Sequence, residues 1–172
     1  GDSTFVLRRL VERGIGNACL GPLWDPGAVR IAFEAGVGAR LPLRVGGKVG
    51  PLSGDPIDLA VTVRALQREV VMTGLAGTPA ALGDCALVET DTGIAVVLVT
   101  VRNQAMHTDL FTQLGVELGT RRIVVVKSSQ HFYASFAKVA AQVIYVAAPG
   151  TVASDLRTLP YRRIARPKWP LG

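Results

Sequence analysis

CALVETDTGIAVVLVTV, residues 85–101, carries the decision about the fold. Cys85–Glu89 and Ile94–Val101 are two β-prone runs on either side of Asp91-Thr92-Gly93, a trio of turn formers, and that order is the signature of a β-hairpin. The second arm, IAVVLVTV, carries no charge, which predicts a central strand covered on both faces. It is also the longest apolar run of the chain and falls well short of the ~20 residues of a membrane helix, so no membrane partner is expected.

Upstream, Ile57, Leu59, Val61, Val63 and Ala65 alternate with Asp58, Ala60, Thr62 and Arg64, the period of a strand with one buried face and an antiparallel neighbour. Asp25 is a capping residue, Pro26 follows at the first helical position, and Gly36 closes AVRIAFEA, which predicts a helix over Pro26–Ala35. An earlier helix follows from Phe5, Val6, Leu10 and Val11, with Asp2 or Ser3 as its cap and Gly14 as its stop. Downstream the patterns read helix over Thr108–Leu114, strand over Arg122–Lys127, helix over His131–Ala141 and strand over Val143–Ala147. Together these predict an α/β fold with α+β character: a mixed β-sheet with an antiparallel hairpin and a terminal β-α-β-α-β run, helices packed on the sheet.

A chain of 172 residues, 49% hydrophobic and 19% charged, is long enough to bury one core without metal or disulfide, so residues 1–172 read as a single domain. There is no internal repeat and no low-complexity segment. The abrupt opening on GDST and closing on RPKWPLG suggest a chain cut to domain boundaries. Cys19 and Cys85 lie in apolar stretches without CxxC spacing, which predicts buried free thiols and a reducing, cytoplasmic setting.

The formal charge of +6 permits an anionic partner. Arg157, Arg162, Arg163, Arg166 and Lys168 interleave with Tyr161 and Trp169 as in a nucleic-acid strand. Pro160, Pro167 and Pro170 make the same segment an extended tail that packs along the domain, and no nucleic-acid partner is expected.

The segment richest in chemistry is IVVVKSSQHFYASFAKVA, residues 123–140. A β-branched run ends at Lys127-Ser128-Ser129 and a helix follows, with Phe132, Phe136, Val139 and Ala140 as its apolar stripe. Ligands of open α/β sheets bind beyond the carboxyl ends of strands, where a helix N-terminus offers free N–H groups, so Lys127, Ser128, Ser129 and His131 suit a carboxylate or phosphate. In the competing reading Ser128 or Ser129 caps the helix, Lys127 is solvated and a backbone group satisfies His131. Two further strand ends carry a cation, Lys48 after Gly46-Gly47 and Arg102 after IAVVLV, and three such ends point to one basic crevice. Gly46-Gly47 either admits a ligand close to the backbone or forms a turn; neither GxxxxGK[ST] nor GxGxxG is present. His107 and His131 are the only histidines and show no metal-ligand spacing, while GxSxG is absent, so no metal or cofactor site made by this chain alone is expected.

GDST at 1–4, LWDP at 23–26, AGVGA at 35–39, GGK at 46–48, KSSQHF at 127–132, APG at 148–150 and RPKWPLG at 166–172 resemble, in order, the C-terminal domain of the MlrC family. That family is named for a microcystin-degradation protein and classed with the M81 zinc metallopeptidases. The resemblance implies a two-domain hydrolase, with zinc held by an N-terminal domain over which this domain closes, and a peptide or amide as substrate. In that setting His131 and Lys127 are the catalytic candidates, and Lys48, Gly46, Gly47, Arg102, Ser128 and Ser129 the substrate-binding ones. The alternative is a non-catalytic module that binds a small anion in the same crevice. A domain separated from such a partner should expose apolar surface, which a homodimer would also cover.

Overall fold

The computed structural model describes residues 1–150, 152, 155–165 and 167–169. Its sheet is built from β1 (Ala18–Trp24), β2 (Arg40–Val45), β3 (Ile57–Thr73), β4 (Pro79–Thr90), β5 (Ile94–Val99) and β6 (Ile123–Val126). The strands lie in the order β2-β3-β4-β5-β1-β6. β5 pairs antiparallel with β4 and parallel with β1, and β1 pairs parallel with β6. The uncharged arm of the hairpin is therefore the strand at which the sheet changes sense, and all its residues are buried. The mixed sheet with helices packed on it is as the sequence predicts.

α2 (Pro26–Ala35) has the predicted bounds, with Asp25 Oδ1 accepting from the Ala28 N–H and Gly36 following at φ 84°. α1 (Phe5–Glu12) is preceded by Thr4, without a side-chain capping bond. Asp2 and Ser3 are not its caps, because the Asp2 carboxylate is engaged by the loop after β2. β3 starts where the alternation starts but runs eight residues past Ala65. Register shifts near Ala65 and between Gln67 and Val70 hide the continuation from a strict period of two, and burial resumes at Val70 and Met72.

The C-terminal third departs most from expectation. α3 (Asp109–Thr112) is short, and α4 covers only Tyr133–Phe136 rather than residues 131–141. Phe132 and Phe136 are buried, and Phe136 meets Phe111 edge-on at 6.0 Å, but Val139 is 55% exposed. With no surface to cover the rest of its stripe, the helix loses the packing that sustains it. The strand expected over residues 143–147 does not form: Ile144 and Val146 are 71% and 66% exposed, and β6 is left as the sheet edge. The terminal run is thus β5-α3-β6, with β1 lying between its strands.

Two cores flank the sheet. One joins Leu7, Leu20, Leu23, Val29 and Leu98; the other joins Cys19, Cys85, Met72, Leu82, Phe111 and Phe136. Both cysteines are free and buried. No helix among the described residues is long and apolar enough to cross a membrane.

Candidate functional site

Because β5, β1 and β6 are parallel, their carboxyl ends open on one edge of the sheet. The first residues of the chain thread across that edge. The Trp24 N–H donates to the Gly1 carbonyl at 3.3 Å, the Gly47 N–H to the Asp2 carbonyl at 2.9 Å, and the Thr4 hydroxyl to the Asp55 carbonyl at 2.8 Å. Lys127, just past β6, donates its ammonium to the Ser3 carbonyl at 2.7 Å.

Asp2 is buried, and burial alone would raise its pKa. Bonds from the Ser53 hydroxyl and from the Val49 and Lys48 amides outweigh that cost and hold it below the ordinary carboxylate value. Asp25 engages the same loop one segment away: its Oδ2 accepts from the Gly46 N–H at 2.9 Å and from Lys48 Nζ at 2.7 Å. Both aspartates tie the loop after β2 to the strand ends.

Lys127 is the unbalanced group. Burial lowers its pKa to about 8, against the opposing pull of Asp2. Among the described residues no carboxylate lies within 4.0 Å of Lys127 or Arg102. Arg102 lays its guanidinium over the Trp24 ring, 4.4 Å from the centroid, while the Trp24 indole N–H donates to the Thr100 carbonyl at 2.9 Å. The Gly1 amine is lowered to about 6 by burial and by the nearby charges of Lys127 and Arg102.

The predicted residues thus fall into two groups. Lys48, Arg102 and Lys127 surround the Gly1–Ser3 segment, with Lys48 committed to Asp25. Gly46 and Gly47, at φ 60° and 63°, are approached by the chain's own atoms: a Cβ on Gly46 would stand 2.6 Å from Thr4 Cγ2, and one on Gly47 would stand 2.4 Å from the Asp55 carbonyl carbon. Ser128 and His131 form the second group around Gln104, whose Oε1 accepts from the Ser128 hydroxyl at 3.1 Å and whose Nε2 meets His131 Nδ1 at 2.9 Å. Ser129 is exposed at a bend, and neither serine caps α4. His131 also lines a cleft of about 240 Å³ together with His107, a residue 24 positions earlier.

Sequence reasoning missed Asp2 and Asp25 as anchors, although GDST and LWDP had flagged both segments. It also missed Gln104, for which no local pattern exists. Among the described residues no group of three or more His, Cys, Asp or Glu could hold a metal ion. His107 and His131 share a cleft, but each already uses its Nδ1 within the protein.

A family model described as MlrC C-terminus matches residues 1–163. The chain belongs to the MlrC C-terminus family. Microcystinase C of Sphingomonas sp. is 38% identical over 170 residues, which are 99% of this chain and 32% of that protein. A crystal structure of a candidate metallopeptidase from Mesorhizobium sp. BNC1 superposes on 100% of this chain and 35% of its own, with a TM-score of 0.82 and 33% identity. This MlrC C-terminal chain therefore spans about a third of the length of each of those relatives.

Proposed function

We propose that this chain is the substrate-side domain of an MlrC-type, zinc-dependent amide or peptide hydrolase, closing over a metal site carried by the rest of a longer protein. The observation that carries the reading is Lys127, a buried ammonium at the carboxyl end of β6 that has no carboxylate within 4.0 Å among the described residues and that, like Arg102, acts on the Gly1 amine. In a closed protein it would supply positive charge to a substrate carboxylate or to a developing oxyanion. Lys48, Gly46 and Gly47 would shape the same edge, and Ser128, Ser129 and His131 its neighbouring wall, with His131 as the proton-transfer or orienting group. The side chains described here do not fit a zinc ion, so no step is derived through it; its ligands belong to the other part of the protein in this reading. The match to relatives about three times as long supports that division. The exposed apolar side chains of Val139, Ile144 and Val146 are consistent with a covered face, by the other domain or by a second copy. The reading also puts the protein in the cytoplasm, with a peptide or amide as substrate; the unbridged Cys19 and Cys85 suit a reducing compartment.

Metal analysis of the purified chain and of a longer protein containing it tests the proposal. Zinc in the long protein and none in the short chain is the expected result. Stoichiometric zinc in the short chain overturns it.

A further inference from the structure

His107 and His131 are the only histidines of the chain, and the fold brings both into one cleft. The same cleft is lined by residues 73–77 at the tip of the β3–β4 hairpin and by Met106, Ala134, Ser135 and Lys138. No carboxylate side chain lines this space. The Lys138 ammonium makes no ion pair among the described residues. Ser135 is spent, since its hydroxyl accepts from the Thr108 N–H and donates to the Thr108 Oγ1.

The two rings are held from behind. Gln104 Oε1 is taken by the Ser128 hydroxyl, which turns the Gln104 NH₂ toward His131 Nδ1. His107 Nδ1 accepts from the Asp109 N–H at 3.3 Å. A neutral imidazole that accepts at Nδ1 carries its proton on Nε2, so each histidine keeps an N–H donor as its free ring nitrogen. In that tautomer Asp109 Oδ1, buried without a hydrogen bond 3.3 Å from His107 Nδ1, stays unsatisfied, and it gains a partner only when Nδ1 also carries a proton. The titratable groups near His107 are thus Asp109, at its Nδ1, and Lys138 and His131, which line the same cleft.

We propose that this cleft binds an oxyanion, a carboxylate or a phosphate, held by Lys138 and the Nε2–H groups of His107 and His131. Asp109 is a positioning residue that stabilises His107 as the anion draws positive charge onto the ring. A metal ion is the wrong occupant, because among the residues lining the cleft only the two imidazoles are metal-ligand types and it would face the Lys138 ammonium. The cleft shares His131 with the wall described under the proposed function, whereas His107 and Lys138 are its own, so anion binding lost on changing either of those two is read apart from the hydrolase reading.

Having only two histidines makes the test direct. Imidazole ¹H–¹⁵N spectra of the chain near neutral pH should show Nδ1 as the unprotonated nitrogen of both rings. Added inorganic phosphate or, in a parallel titration, acetate at constant ionic strength should shift both rings along one saturable curve. Lys138→Ala, at an exposed position, should weaken that binding about tenfold. Saturation by phosphate alone or by acetate alone supports the site and names its ligand class. Unsaturable shifts with both anions, binding indifferent to both Lys138→Ala and His107→Gln, rings protonated on Nδ1 before any anion is added, or saturation by zinc chloride but by neither anion would each overturn the proposal.

Discussion

Lys48 Nζ lies 2.7 Å from Asp25 Oδ2, across a pair in which the carboxylate is only 2% exposed and the lysine 41%. Asp25 therefore joins two segments through three contacts: its Oδ1 caps α2 through the Ala28 N–H, and its Oδ2 holds the Gly46 amide and the Lys48 ammonium of the loop after β2. A residue that reads as a helix cap in the sequence is also the anchor of the loop that borders the strand-end edge.

Replacing Asp25 with Ala should cost about 2–3 kcal/mol, combining a lost cap with a buried amide and an ammonium left without their acceptor. Asp25→Asn should cost less, since an amide oxygen can still cap. Urea denaturation of the three proteins gives the ranking; a loss of under about 1 kcal/mol for Asp25→Ala would remove the anchoring role.

The glycines after β2 should tolerate alanine badly for a reason that Gly36 does not share. At Gly46 and Gly47 a Cβ meets backbone or a packed side chain, whereas at Gly36 nothing lies within 4 Å and only the positive φ opposes it. Gly36→Ala is expected to cost about 1 kcal/mol, and each of the other two substitutions substantially more. Thermal melts in which all three shift equally would contradict the close approach of Asp2, Thr4 and Asp55.

Lys127 should leave a signature in the pH dependence of stability. Its pKa is lowered by burial from 10.5 to about 8, so between those values the unfolded chain binds more protons than the folded one. Stability from this group is therefore lowest near neutral pH and rises as pH passes from about 8 toward 10.5. The Gly1 amine, lowered to about 6, has finished titrating in the folded state by then. Cys19 and Cys85 act in the opposite sense at high pH, so the difference between wild type and Lys127→Met is the quantity to follow by urea titration. Wild type should gain on the variant across that window; parallel curves would mean an ordinary, solvated lysine.

Burial pushes the Cys19 and Cys85 thiols up to about 12, Cys19 against the pull of Arg121 and Cys85 with the help of Asp84. Neither thiol should react with a water-soluble disulfide reagent on the minute scale while the chain is folded, and both should react in denaturant. A fast-reacting thiol in the native protein would place one of them outside the second core.

The sheet was legible because its signals are local. The hairpin around Asp91-Thr92-Gly93 and the helix from Pro26 each depend on a few adjacent residues whose backbone preferences agree with the fold. The end of α4 and the missing strand over 143–147 were not, because helix length and strand pairing there depend on whether another surface covers Val139 and Ile144. The cationic strand ends were also visible one by one, as Lys48, Arg102 and Lys127, but their pairing was not.

By itself the sequence determined the hairpin, the capped helix, the free cysteines and, through motifs spread along the chain, the family. Tertiary structure alone decided that the Gly1–Thr4 segment would lie against Gly46 and Gly47, that Lys48 would be bound to Asp25 while Lys127 met no carboxylate among the described residues, and that His107 and His131 would line one cleft. The division is physical. Turns, caps and strand periodicity are set by neighbours along the chain, whereas charge pairing and side-chain convergence are set by which strands become adjacent, and β1 sits between β5 and β6 despite lying far from both in sequence.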